Sequence, residues 1–241
     1  MAAAWEEPSM RKIIGLCFLT ATLFASSARA QSIFIEKGDP SAVDVTVGGG
    51  LVKDAWGAGL GAGYSYRGVF DVGADFMRYV YTGGTNNKLA GYSITPFATW
   101  HALRHDVDEL PFSLGFTVGV QRIVYAGNGP VANPEGWSTF GGASFYRRFE
   151  FGTNLIFVPE AYGIVQYKST RYYSQAGDQN SSNTRNSNVG AGYSAESKIT
   201  GSILLRPNVL YKMGNTNYVL APYIGLAELA FAAGGNIGAI F

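Results

Sequence analysis

The 241-residue chain holds one cysteine, Cys17, and two histidines, His101 and His105. A single cysteine excludes a disulfide framework. Charge is sparse: Asp, Glu, Lys and Arg make up 15% of the chain and balance to a formal +1. Such a chain offers no field to attract phosphates, so nucleic acid is not an expected partner. No apolar run reaches the roughly 18 residues that a membrane-crossing helix needs. Disorder is excluded from the other side, because 47% of the residues are hydrophobic. What the chain has in quantity is glycine (32), phenylalanine (15) and tyrosine (15). That composition reads as a single-domain β protein.

The first 30 residues read as a secretory signal peptide. Arg11 and Lys12 form a short basic start, residues 13–25 (IIGLCFLTATLFA) an apolar stretch, and Ala28 and Ala30 the small positions of a cleavage site. Cleavage after Ala30 would leave Gln31 as the first mature residue and 31–241 as the working domain. The acidic Glu6 and Glu7 suit such a leader poorly, which makes Met10 a candidate start. Cys17 lies inside the apolar stretch rather than at its end, so it reads as a small hydrophobe and not as a lipidation site. The mature chain is then free of cysteine. Losing Arg11, Lys12 and Arg29 against Glu6 and Glu7 also makes it formally neutral.

Beyond the leader the chain alternates. Phe112, Leu114, Phe116, Val118 and Val120 interleave with Ser113, Gly115, Thr117, Gly119 and Gln121. A period of two puts each set on its own face of a strand. The same pattern sets Phe70, Val72, Ala74 and Phe76 against Asp71, Gly73 and Asp75, and Leu60, Ala62, Tyr64 and Tyr66 against Gly59, Gly61, Gly63 and Ser65. A soluble sandwich would bury the bulky face. A transmembrane barrel would turn it to lipid and fill its lumen with the small polar one. Alternation alone leaves both open.

Three features favour the barrel. Aromatic residues bracket polar turns: Tyr64, Tyr66 and Phe70 around Arg67-Gly68; Phe145, Tyr146, Phe149 and Phe151 around Arg147-Arg148; and Tyr79, Tyr81 and Tyr92 around 82–88. With the N-terminus in the periplasm, short connections (Arg67-Gly68, 104–109, Arg147-Arg148) alternate with long polar ones (126–138 and 169–188). The chain ends on Phe241, with Ala239, Ile237 and Phe231 in phase behind it. Together these resemble the small outer-membrane β-barrels of Gram-negative bacteria, the OmpA/OmpX/OmpW-like class. The resemblance implies that the barrel-assembly machinery reads the C-terminal strand through Phe241.

The expected fold is therefore all-β, a closed up-and-down antiparallel transmembrane barrel of ten strands, with eight or twelve as alternatives. The segments are 42–53, 57–66, 69–81, 89–102, 111–125, 137–147, 151–168, 188–200, 202–213 and 217–229, with an unassigned tail to 241. So narrow a barrel is largely filled by side chains. Asp71, Asp75, Glu160, Glu196, Lys198 and Arg206 fall on polar faces, and paired charges there would plug the lumen; a selective constriction is the rival reading. The Gly57, Gly59, Gly61, Gly63 run has no following helix and suits the inner face of a tightly curved wall rather than a phosphate loop. Pro159 and Pro207 mark bends or bulges. His101 and His105 fall at a strand end and in a polar turn, where i, i+4 spacing does not converge on a metal. They also sit at the periplasmic end, away from the lipid-facing or external sites of outer-membrane deacylases and omptin-type proteases. The expectation is a non-enzymatic, cofactor-free and metal-free monomer. It sits among outer-membrane lipid and lipopolysaccharide as an anchor with external interaction loops. A narrow channel is the alternative, and a lipid- or peptide-hydrolysing enzyme the third.

Overall fold

A computed structural model describes residues 31–35, 38–52, 55–81, 90–126, 131–174, 192–214, 216–227 and 230–241. One helical turn, α1 (Gln31–Phe34), precedes the strands. These are β1 (Ala42–Val52), β2 (Ala55–Tyr66), β3 (Phe70–Tyr81), β4 (Ala90–Leu103), β5 (Ser113–Ala126), β6 (Val131–Tyr146), β7 (Phe149–Phe151), β8 (Leu155–Ser174), β9 (Gly192–Met213), β10 (Thr216–Ala227) and β11 (Ala230–Ile240). Strands pair antiparallel with their chain neighbours, except that β6 passes over β7 to pair with β8, and β1 pairs with β11 to close the ring. β6 and β7 both pair with β8 in one register, so they form a single wall strand interrupted at Arg147 and Arg148. The result is a closed ten-stranded barrel. Closure gives every strand two partners, the condition for a β-structure to cross lipid, where water cannot satisfy an edge. Among the described residues no helix is long and apolar enough to cross a membrane.

Burial settles which face is inside. The bulky set points outward: Val47, Leu60, Val118, Ile199, Ile203 and Ile237 are all more than half exposed. The small polar set, Thr46, Ser65, Thr95, Thr99, Thr117 and Ser138, is buried in the lumen. Outward aromatic residues gather at both ends: Tyr64, Tyr66, Phe70, Trp100, Phe145 and Phe151 towards the chain termini, and Trp56, Tyr92, Trp137 and Tyr167 towards the other. Tyr79 and Tyr146 are exceptions to the predicted girdle, because both fall in the inward phase and are buried.

The strand count of ten is as expected, through two differences that cancel. Segments 188–200 and 202–213 are one strand, β9, which keeps its phase through Gly201. The unassigned tail is β11, the closing strand, with Val43 and Phe241 exchanging backbone hydrogen bonds of 3.1 and 2.9 Å. Three local expectations are corrected. Arg147-Arg148 is an interruption within a wall strand, and the reversal follows at 152–154, where Gly152 takes φ 65°. Pro159 and Pro207 are opposite each other in an unshifted register, so neither is a bulge; the shifts lie at His101/Leu103 and Ala132/Glu135. The long loops are also shorter than the polar stretches suggest, since β6 starts at Val131 and β8 continues to Ser174. The connections 53–54, 82–89, 127–130, 175–191 and 228–229 lie outside the described residues; the strand ends they join are all at the end away from the termini. Residues 1–30, including Ala28 and Ala30, also lie outside the described residues.

Candidate functional site

The interior is stacked in layers of side chains. At the terminal end, Ile33 and Phe34 of α1 sit in an apolar cluster with Tyr146, Ile156, Val158, Leu210, Val219 and Ile240. Arg104 fastens this turn. Its guanidinium donates to the Ile35 carbonyl, to the Gly68 carbonyl at 2.7 Å and to Asp106 Oδ1 at 3.0 Å, while Asp108 Oδ2 accepts from its backbone N–H at 2.7 Å. The helical turn thereby packs inside one end of the barrel.

Two polar groups lie above it. His101 Nε2 is 3.0 Å from Asp71 Oδ2, and its Nδ1 is 2.7 Å from the Tyr146 hydroxyl, all three buried. With Nε2–H donating to the carboxylate, Nδ1 of a neutral ring accepts from the tyrosine hydroxyl. Beside this group along the wall, where Glu160 is the ladder partner of Tyr146, Arg206 Nη1 is 3.5 Å from Glu160 Oε2, and its guanidinium lies 4.7 Å above the Tyr162 ring. Asn208 donates to Glu160 Oε2 at 3.3 Å and to the Val158 carbonyl at 3.2 Å.

Next comes an apolar layer: Val52, Met77, Phe97, Phe140, Tyr162, Ile164, Leu204, Tyr223, Ala227 and Ala232 form one packed cluster. They come from β1, β3, β4, β6, β8, β9, β10 and β11, so the cluster is built from almost the whole circumference. The inner-face glycines make room for its rings. A Cβ on Gly119 would collide with Phe140, one on Gly73 with Phe97, and one on Gly59 with Met77. Beyond this layer Gln166 donates to Ser138 Oγ at 2.6 Å, and Gln121 donates to Thr95 Oγ1 at 3.2 Å.

Of the predicted lumen charges, Asp71, Asp75, Glu160 and Arg206 are buried inside. Glu160 and Arg206 are cross-strand partners, and Asp71 meets an imidazole rather than a basic residue. Lys198 is exposed, towards the far end of β9. Glu196 stands opposite Thr170 in the ladder, and its side chain lies outside the described residues. Asp44, also buried, was absent from the predicted set. His101 is the main correction: it is a buried lumen residue, not part of a solvated turn. Its signal was phase, since Ser93, Thr95, Phe97, Thr99 and His101 continue one inward row. His105 diverges from it into the 104–112 connection, where its Nδ1 is 2.8 Å from Ser113 Oγ and burial pushes its imidazole below the ordinary value. Among the described residues no three His, Cys, Asp or Glu side chains are grouped to hold a metal.

No family model matches the chain, and no curated protein does. Solved outer-membrane barrels are similar in architecture. The β domain of the Bordetella autotransporter BrkA shares 13% identity over 84% of this chain and 99% of that one, with a TM-score of 0.46. LpxR from Salmonella typhimurium shares 10% identity over 83% and 99%, at 0.42. OprG from Pseudomonas aeruginosa shares 9% over 86% and 98%, at 0.37. Likeness at that level carries nothing over to this chain. What this one does rests on its own residues.

Proposed function

We propose that the protein is a non-conducting, non-enzymatic barrel of the outer membrane that anchors its external loops as an interaction surface. The observation that carries this reading is the packed apolar layer drawn from eight wall strands. A water column needs polar lining along its whole length, and this cross-section instead supplies rings and aliphatic chains in contact. The charges beside it are engaged within the lumen, Glu160 with Arg206 and Asp71 with His101. The Asp71–His101–Tyr146 group resembles an acid–base relay, but α1 seals it from the nearer mouth and the apolar layer from the other, so no substrate reaches it.

In this reading residues 1–30 are a cleaved leader and both termini face the periplasm. The connections 82–89, 127–130 and 175–191 are external, with 175–191 the longest and the first to test for a partner. Phe241, whose backbone completes the β1–β11 seam, is the assembly signal. The barrel acts as a monomer among outer-membrane lipid and lipopolysaccharide. Single-channel recording on the folded 31–241 chain in a planar bilayer tests the proposal. Silence is the expected result. Steady conductance steps altered by Glu160→Gln or Arg206→Gln would replace the anchor with a channel.

A further inference from the structure

Proline cannot donate to a ladder and is normally excluded from paired strands. In this wall three prolines stand side by side. Pro159 of β8 is opposite Pro207 of β9. The β9–β10 ladder runs to Leu220↔Val209 and resumes at Ile224↔Leu205 in the same register, which sets Pro222 opposite Pro207 with the pairs between omitted. The same row continues to Arg147, opposite Pro159, where the β6–β7 wall strand is itself interrupted. Arg147, Pro159, Pro207 and Pro222 thus form a seam across four adjacent wall strands. The next outward row, in the same register, is Phe145, Ala161, Leu205 and Ile224.

An open cleft of about 680 Å³ lies over these two rows, with Phe112 and the intervening Tyr146, Glu160, Arg206 and Tyr223 also in its lining, within the range of small-molecule sites. The low floor follows from side-chain size: three proline rings and Ala161 lie between taller walls, the edge-to-face pair Phe112–Phe145 on one side and Leu205 with Ile224 on the other. The outward phase of both rows turns the cleft to the membrane. At its end towards the chain termini stands exposed Arg147, which donates one hydrogen bond to the Pro111 carbonyl at 3.2 Å and rests 5.4 Å from the Phe149 ring centre. A guanidinium has five N–H donors, so further donors remain for an anion.

We infer that the proline seam is a stoichiometric binding site for one anionic phospholipid of the periplasm-facing leaflet, with an acyl chain in the cleft and the phosphate at Arg147. The inference rests on the membrane reading above and goes beyond it. An apolar trough facing lipid selects a hydrocarbon chain, and one cation at its interfacial end selects a negative headgroup. The seam also gives the prolines a role: they remove side-chain height and ladder bonds where a lipid chain fills the gap.

The test is native mass spectrometry of the folded 31–241 chain released from vesicles of phosphatidylglycerol and phosphatidylcholine. One retained lipid per barrel, enriched in phosphatidylglycerol, is expected. Ala161→Trp fills the cleft and should lower the retained fraction about tenfold, the equivalent of about 1.4 kcal/mol. Arg147→Gln should keep a lipid but lose the preference for phosphatidylglycerol. Should Ala161→Trp fold poorly, Leu205→Trp serves as the second cleft-filling variant, with heat-modifiable gel mobility as the check on folding. Retention unchanged in the filled variants, no discrete retained lipid, or a dimer in place of the lipid would each overturn the site. Failure of the wild-type chain to give a heat-modifiable band in vesicles would instead overturn the membrane reading itself.

Discussion

At the scale of single residues, the lumen is filled by matching size to size and by giving Glu160 and Asp71 a donor each. Phe140 occupies the space a Cβ at Gly119 would take, so Gly119→Val should cost about 1–3 kcal/mol through overpacking. Adding Phe140→Ala should recover part of that loss, as read from urea midpoints in detergent. Removing the donor from a buried carboxylate leaves that charge stranded. His101→Ala should therefore cost about 3 kcal/mol, and the double variant with Asp71→Asn should be milder than His101→Ala alone. His105 carries a pH signature. Burial holds its imidazole below the ordinary 6.5, so the folded chain binds that proton less tightly than the unfolded chain. Its contribution to stability is complete above pH 6.5 and is lost as pH falls below that value. His105→Gln should flatten this part of the urea-midpoint profile between about pH 7 and 5; an unchanged slope would assign the effect to other groups.

At the scale of elements, what could be read from the sequence depended on how far apart the relevant residues lie. Strand phase is local, so Thr117 inward and Val118 outward follow from neighbouring residues alone. Strand ends were less legible: Gly201 looked like a boundary because it interrupts the bulky row, yet β9 keeps its register on both sides of it. The tail to 241 carries no strand assignment from its own residues, and its glycines and alanines make one only when set against β1 and β10, which pair with it. The proline seam was invisible for the same reason, because residues 159, 207 and 222 become neighbours only once three strands are in register. α1 had no signal of its own, since Ile33 and Phe34 gain meaning only from the cavity they enter. Removing residues 31–35 should lower stability by on the order of 3 kcal/mol for two buried apolar side chains. It should leave the barrel electrically silent, because the apolar layer above remains. Current through that truncated chain would make α1 the true stopper.

At the scale of the whole molecule, the protein is turned inside out relative to a soluble β domain and is filled where a porin is open. Both properties yield to one measurement, because residues 31–241 contain no cysteine. Single cysteines at Thr117, which faces the lumen, and Val118, which faces outward, can be probed in lipid vesicles with a small membrane-impermeant maleimide. Both positions should resist labelling in the folded barrel, one shielded by packed side chains and the other by lipid, and both should react after denaturation. Labelling at Thr117→Cys with protection at Val118→Cys would reveal a water-filled channel. Labelling at Val118→Cys with protection at Thr117→Cys would contradict the membrane-spanning barrel altogether.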